Sequence, residues 1–176
     1  MSGGSTFRER LRFDAERGEW RDEGRRYMMI RPDALMGLFR RLPPPEREAA
    51  LAALAASIVE GGGDSARAYR ALGAKDADAL LATVAATAPE LGWGTWRFER
   101  EERRIALAVT NSPFAAGFGP SERPVCAPIV GMLTAVASLV AGAPWTAVET
   151  ACAAVLGAEA NGQCRFEARP AGEDAP

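Results

Sequence analysis

All three cysteines of the chain lie in one segment of its last third, together with an isolated carboxylate. Cys126 comes first, Glu149 and Cys152 follow as an E-x-x-C pair, and Cys164 comes after a turn rich in glycine and asparagine. Structural zinc sites hold four protein ligands, and zinc accepts both cysteine sulfur and carboxylate oxygen. Glu149 stands in an apolar run, where an unpaired carboxylate is costly to bury unless a cation meets it. The pattern therefore predicts a zinc site.

A second interpretation of the same residues needs no metal. Free cysteines are often small buried hydrophobic side chains, and Glu149 could pair with Arg123 or Arg165. The segment also lacks a C-x-x-C pair, which would be a stronger zinc signal. The residues by themselves leave a metal site and a packed core both open.

The segment from Asn111 to Phe166 resembles the vinyl-4-reductase domain, also called the hydrocarbon-binding domain. The matching motifs are N-S at Asn111–Ser112, G-P-S-x-x-P-V-C ending at Cys126, the small-residue helix that follows, and E-x-x-C…C-R-F ending at Phe166. The same domain forms the sensory module of phenol-responsive bacterial transcription activators. The resemblance implies a mixed fold of helices and strands, and family members often pair as homodimers.

The resemblance also implies a ligand set and a pocket. Position by position, the zinc ligands of the family fall on Cys126, Glu149, Cys152 and Cys164. Pockets in the family lie near the zinc but do not use it as the reacting centre. Phenol sensors orient the ligand hydroxyl with a histidine and a tryptophan, and this chain has no histidine. Phenol specificity is therefore not carried over.

Aromatic residues flank the predicted metal site in the sequence. Phe114 and Phe118 precede the first cysteine, and Trp145 lies just before the isolated carboxylate. A pocket for a hydrophobic small molecule needs apolar walls and few polar groups. We predict that these three residues form such a pocket with Trp96 and Val109. Aromatic side chains at such positions are also typical of a packed core, and this alternative stays open.

The composition excludes several classes of function. The 176 residues carry a formal net charge of −2 with a pI near 5.4, which gives no electrostatic footprint for nucleic acid. Without histidine, a Ser-His-Asp or Cys-His hydrolase is excluded. No G-x-G-x-x-G motif follows a predicted strand, so an independent nicotinamide- or flavin-dependent reductase is not expected.

The sequence predicts no membrane partner. The longest apolar candidate, residues 129–140, is too short to span a bilayer and predicts a buried helix. The first ten residues lack the apolar core of a signal peptide. We therefore expect a cytoplasmic protein, in which thiols stay reduced and clustered cysteines favour metal over disulfides.

Hydrophobic spacing and turn residues predict the elements that must position these side chains. In the first half we expect a hairpin, a strand and four helices, with Gly61–Gly63 ending the second helix. These elements cover residues 12–21, 25–31, 32–42, 46–60, 65–72 and 77–88.

In the second half, alternating apolar residues predict a half-buried antiparallel hairpin. Its strands cover residues 94–101 and 103–110, and they are followed by a loop over 111–123, a buried helix over 125–141, and strands over 144–152 and 163–169. This order predicts an α+β fold in which helices pack on one face of an antiparallel sheet.

Residues 11–169 are expected to form one domain, between a flexible tail over 1–10 and a disordered tail over 170–176. We interpret it as a zinc-stabilised module that binds a small hydrophobic or aromatic compound, as a stand-alone sensor or carrier, and forms a homodimer. Two alternatives remain: an accessory or carrier protein in tetrapyrrole (bacteriochlorophyll) biosynthesis associated with vinyl reductase, and a dimeric interaction module without a ligand. Because four protein groups fill the zinc shell, no position is left to activate water, and an enzymatic role is not favoured.

Overall fold

The computed structural model describes residues 6–71 and 76–172. Within these ranges a small amino-terminal sheet precedes three helices, and a larger sheet is interleaved with the remaining elements. The predicted α+β class, with helices on one face of an antiparallel sheet, is confirmed. In chain order the elements are α1 (Phe7–Arg10), β1 (Arg12–Asp14), β2 (Glu19–Asp22), β3 (Arg25–Tyr27), α2 (Pro32–Arg40), α3 (Pro44–Ala71), α4 (Ala77–Glu90), β4 (Thr95–Glu101), β5 (Arg104–Thr110), α5 (Pro113–Phe118), α6 (Ala127–Ala141), β6 (Trp145–Ala151), α7 (Ala153–Leu156), a 3-10 turn (Gly157–Ala160) and β7 (Gln163–Pro170).

The residues before β1 form a capped turn of helix. The hydroxyl of Thr6 accepts the Glu9 N–H at 3.3 Å, and the Glu9 carboxylate accepts the Thr6 N–H at 2.8 Å, which is a capping box. Phe7 is buried, with its ring centroid 5.2 Å from that of Tyr27. Residues 6–10 of the predicted flexible tail 1–10 thus contain a capped helical turn, and the first five residues of that tail lie outside the described ranges.

Strands β1, β2 and β3 form an antiparallel meander. Gly18 has a positive φ of 63° in the first turn, a conformation that glycine adopts without steric cost. The predicted hairpin over 12–21 corresponds to β1 and β2, whereas the predicted strand over 25–31 ends at Tyr27. Residues 28–31 instead form an extended link to α2 that exposes Met28 and Met29.

Helix α3 is one helix of 28 residues, so the predicted stop at Gly61–Gly63 is wrong. The helix predicted over 65–72 is its continuation as far as Ala71. Three consecutive glycines lower helix propensity, but tertiary packing overrides propensity. A Cβ on Gly62 would lie only 3.0 Å from the Met132 sulfur on α6, which shows how closely the two helices pack there. No helix within the described ranges is long and apolar enough to cross a membrane.

The large sheet has the strand order β4-β5-β7-β6, and every neighbouring pair is antiparallel. On β5 the side chains alternate, with Ile105, Leu107 and Val109 buried. Helices α4 and α6 cover this inner face, while the opposite face carries polar side chains such as Glu99. The alternation follows from the two-residue period of a strand that is buried on one side.

Regular elements extend into two regions predicted to be irregular. Residues 113–118 of the predicted loop 111–123 form α5, because Ser112 provides the cap and Pro113 suits the first helical position. At the other end, Pro170, the first residue of the predicted disordered tail 170–176, pairs with Trp145 across β7 and β6. Residues 173–176 of that tail lie outside the described ranges.

Helices α3 and α6 pack closely at Gly131. A Cβ at this position would overlap the Ala55 carbonyl oxygen and lie 3.0 Å from the Ile58 Cβ. Gly131→Ala should therefore lower the free energy of unfolding by about 1–3 kcal/mol, because an added group in a packed interface forces the helices apart. Urea unfolding followed by circular dichroism measures this.

The matched control is Gly61→Ala, where the added Cβ would meet no atom within 4 Å. That change should raise the free energy of unfolding by about 0.4–1 kcal/mol, because alanine restricts the unfolded chain. Equal effects of the two substitutions would contradict the assigned helix contact.

Candidate functional site

The four predicted ligands converge from four places in the fold. Cys126 is the residue before α6, Glu149 lies in β6, Cys152 follows the end of β6, and Cys164 lies in β7. One ligand atom from each lies within 4.8 Å of the others. The three cysteines are buried and free.

A β-bulge explains how the E-x-x-C pair can face one side. Residues three apart on a regular strand point to opposite faces of the sheet. In β6, however, Glu149 pairs with Phe166 and Ala151 pairs with Arg165, so the register shifts by one residue between them. The extra residue of a bulge restores a common face. Cys152 therefore joins Glu149 on the inner side.

The sulfur spacing fits a tetrahedral metal. Cys126 Sγ and Cys164 Sγ are 3.8 Å apart. Two sulfurs bound to zinc at 2.3 Å in a tetrahedron are about 3.8 Å apart. These residues could therefore hold a metal ion without large displacement, and their role as ligands stays a prediction.

Glu149 has one satisfied and one unsatisfied oxygen. Its Oε2 accepts the Cys126 N–H at 2.9 Å, whereas its buried Oε1 has no hydrogen-bond partner among the described residues. The two arginines that could have paired with Glu149 have other partners. Arg123 forms an ion pair with Glu48 at 2.6 Å, and Arg165 donates to Gln163 at 3.1 Å. Burial, with a further contribution from the Cys152 thiol, raises the pKa of the Glu149 carboxyl to about 8.

The thiols interact with one another and with their surroundings. Hydrogen bonds donated toward Cys152 and Cys164, together with burial, raise the pKa of the Cys126 thiol. The pKa of Cys164 is lowered because its sulfur accepts hydrogen bonds from the other two thiols and from the Ala153 N–H at 3.3 Å.

Ser112 is a member of this site that the sequence reasoning did not single out. Its Oγ lies 3.2 Å from Cys126 Sγ and accepts the Ala115 N–H at 3.4 Å. Ser112 is 3% exposed, so both contacts are shielded from water. The signal was present in the N-S motif and in the Ser-Pro start of α5. Ser112 thereby links the cysteine cluster to the helix that carries Phe114.

Phe114 faces a cavity of about 860 Å³ between the small sheet and helices α2 to α5. Trp93 forms part of the same wall, with its ring centroid 5.1 Å from Phe114 and 6.3 Å from Trp96. Most of the walls come from segments that no motif singled out. Among them are Met28, Met29, Leu35, Val84, Ala88 and Met132.

Two of the five predicted pocket residues line this cavity, namely Trp96 and Phe114. The other three are buried elsewhere in the core. Val109 lies opposite Cys164 in the sheet, Phe118 lies under the Arg47 guanidinium at 5.6 Å, and Trp145 begins β6.

Residues 105–170 match the family model of the vinyl-4-reductase domain. This part of the chain is similar to that family. The match spans all four residues of the cluster and confirms the resemblance found in the sequence. No curated protein matches the chain.

Solved structures share the fold over most of the chain. The phenol-responsive sensory domain of the transcription activator PoxR, crystallised with phenol, has a TM-score of 0.75 at 18% identity, covering 92% of this chain and 85% of that one. A vinyl-4-reductase family protein from Methanocaldococcus jannaschii has a TM-score of 0.50 at 14% identity, covering 84% and 99%. Trafficking protein particle complex subunit 3 from Naegleria fowleri, covalently bound to palmitic acid, has a TM-score of 0.54 at 8% identity, covering 82% and 98%. At these identities the likeness shows the fold.

Replacing Ser112 by alanine should destabilise the protein by about 1 kcal/mol or more, because α5 loses its cap and Cys126 loses a buried polar neighbour. Urea unfolding measures the change. Ser57→Ala, at an exposed position of α3, is the control and should stay within about 0.5 kcal/mol of wild type. Equal changes in the free energy of unfolding for the two variants would contradict the role assigned to Ser112.

Proposed function

We propose that this chain is a zinc-stabilised domain that binds a small hydrophobic or aromatic compound, as a sensor or carrier. The single observation that carries this function is the apolar cavity of about 860 Å³. Ligand sites in proteins have volumes of about 300–1,000 Å³ and mostly apolar walls. The fold of a sensory domain crystallised with phenol supports the same function by analogy.

Zinc is the metal that the donor set fits best. Three sulfurs and one carboxylate oxygen form a tetrahedral set that zinc accepts. Cys126, Glu149, Cys152 and Cys164 would hold the ion, and the unpartnered Glu149 Oε1 is the free oxygen that a cation would engage. When bound, zinc would supply positive charge beside the buried carboxylate and tie β6 and β7 to the start of α6. With four protein ligands the shell is closed, so we assign the ion a structural role.

The ligand is held without a bond to cysteine. One structural neighbour carries palmitic acid covalently. In this chain all three cysteines belong to the buried cluster, and none of them lines the cavity. Recognition therefore depends on shape and apolar contact.

The cavity supports the assignment of one domain. The capped turn α1, the small sheet and the helices all contribute walls, and the Arg8 N–H donates to Glu90 on α4 at 2.9 Å. We therefore extend the proposed domain of residues 11–169 to include residues 6–10. The homodimer expected from the family stays a prediction.

Metal analysis tests the zinc site. Elemental mass spectrometry of the purified chain should find about one zinc per chain, because four groups make one closed shell. Glu149→Gln and Cys126→Ser should lose most of it, since each removes a ligand. Glu99→Gln, exposed on the outer face of the same sheet, should retain it.

Chelation separates metal loss from misfolding of these variants. Removing zinc from the wild-type protein with a chelator should lower the unfolding temperature, and adding zinc back should restore it, because metal binding contributes to folding free energy. A wild-type protein without metal, or a Glu149→Gln variant that keeps its zinc, contradicts the site.

Fluorescence of N-phenylnaphthylamine, a neutral apolar dye, tests the cavity. The dye should brighten on binding to the wild-type protein. Ala88→Leu should weaken binding at least tenfold, or about 1.4 kcal/mol, because Ala88 lines the cavity and leucine fills part of it. Ala86→Leu, on the exposed side of α4, should bind like wild type. Absence of dye binding, or equal binding by both variants, counts against a ligand site in this cavity.

A further inference from the structure

Residues 112–126 form a segment whose two ends touch each other at the cysteine cluster. At its start, Ser112 Oγ lies 3.2 Å from the sulfur of Cys126 at its end, and both side chains are buried. The Cys126 N–H also donates to Glu149 Oε2 at 2.9 Å. The segment 112–126 is therefore closed by residues that we propose as metal ligands.

A second contact joins the middle of this segment to the cluster. The Ser121 N–H donates to the carbonyl of Ala154 in α7 at 2.9 Å. Helix α7 starts directly after Cys152, whose carbonyl accepts the Val155 N–H at 3.0 Å. The cluster thus holds the chain on both sides of α5, just before the helix begins and shortly after it ends.

Helix α5 also forms part of the cavity wall. Pro113 and Phe114 line the cavity, and the Phe114 ring packs edge-on against Trp93 with centroids 5.1 Å apart. Further along the helix, a Cβ on Gly117 would overlap the carbonyl oxygen of Pro32, which is another lining residue. Close-packed contacts transmit displacements because they leave no free space to absorb them. A shift of α5 would therefore change the shape of the cavity.

Ser112 connects the two sets of contacts through one hydroxyl group. Its Oγ accepts the Ala115 N–H at 3.4 Å and also contacts Cys126 Sγ. Cysteine binds metals as the thiolate, so the hydroxyl would donate to a metal-bound sulfur and keep its lone pairs for the helix start. Hydrogen-bond partners of a metal ligand fix the position of that ligand, and losing one commonly weakens metal affinity about 10–100-fold. Ser112 can therefore connect metal binding to the position of α5.

We propose that metal binding at the cluster and ligand binding in the cavity are coupled through the segment 112–126, with Ser112 as the positioning residue. This inference rests on the proposed function and adds its regulation. The zinc-loaded protein holds α5 in the position that completes the cavity wall, so it binds the ligand more tightly than the metal-free protein. Because thermodynamic coupling is reciprocal, a bound ligand also retains the zinc.

Zinc retention in the presence of N-phenylnaphthylamine tests the coupling on the full chain. The zinc-loaded protein is titrated with a chelator, with and without saturating dye, and the released zinc is measured. In the wild-type protein the dye should raise the chelator concentration that removes half of the zinc at least fivefold, or about 1 kcal/mol. The reason is that contacts with the dye hold α5 and, through Ser112, the sulfur of Cys126 in place.

The variant Ser112→Ala separates the proposed route from a general effect of stability. It should reduce the protection by the dye to about twofold or less, because α5 loses its contact with the Cys126 sulfur. Asp76→Ala is the matched control, since the Asp76 carboxylate accepts the Ala79 N–H at the start of α4. This is the capping position that Ser112 occupies on α5. The control variant should lose a helix cap and keep the protection.

Hydrogen exchange of the wild-type protein provides a second measurement, which decides the question even if Ser112→Ala does not hold zinc. Removing zinc should speed amide exchange in residues 112–126 more than in α4. Adding the dye to the zinc-loaded protein should slow exchange in residues 153–156 of α7, although these residues do not line the cavity.

The outcomes distinguish this inference from the proposed function. If the protein holds zinc and binds the dye, but the dye does not protect the zinc, the coupling is wrong and the proposed function remains. The route through Ser112 is wrong if Ser112→Ala and Asp76→Ala behave alike, or if zinc removal leaves exchange in residues 112–126 unchanged. If the wild-type protein holds no zinc or binds no dye, the proposed function fails, and the inference fails with it.

Discussion

The carboxyl-terminal half of the structure depends on the burial of one carboxylate without a basic partner. The backbone N–H of Cys126 satisfies one Glu149 oxygen, and the other has no partner within the described residues. Removing a charged group from water costs several kcal/mol unless it is paired or neutralised. Thiols supply no positive charge, and the nearby arginines are engaged elsewhere. A divalent cation among the three sulfurs is the compensation that this donor set fits, and it would fix β6, β7 and the start of α6 relative to one another.

The cluster of Cys126, Glu149, Cys152 and Cys164 was predictable because the information that specifies it is local and chemical. The residue types indicate the metal, and the four positions fall within one 39-residue stretch, from Cys126 to Cys164. The bulge in β6 was not predictable, although it brings Glu149 and Cys152 to one face. A spacing of three residues on an ordinary strand would have argued against a shared site. The sequence therefore indicated which residues meet, and the structure shows how they can.

The errors in the predicted elements have two physical causes. At Gly61–Gly63 the local signal is unfavourable for a helix, but packing of α3 on α6 outweighs it. In residues 111–123 a helix start signal exists in Ser112 and Pro113, and the general content of glycine and proline obscures it.

The cavity was only partly predicted for a third reason. Its walls come from segments far apart in the chain, and long-range contacts leave no periodic pattern in a sequence.

A continuous set of contacts joins the cysteine cluster to the cavity. Ser112 Oγ lies 3.2 Å from Cys126 Sγ and caps α5, and two residues later Phe114 packs edge-on against Trp93 in the cavity wall. Because a capped helix start is fixed in position, the placement of Cys126 also sets the placement of Phe114. A metal bound by the four ligands would thus contribute to ligand binding without touching the ligand. It would hold one wall of the cavity at a defined distance from the aromatic side chains of β4 and the residues that precede it.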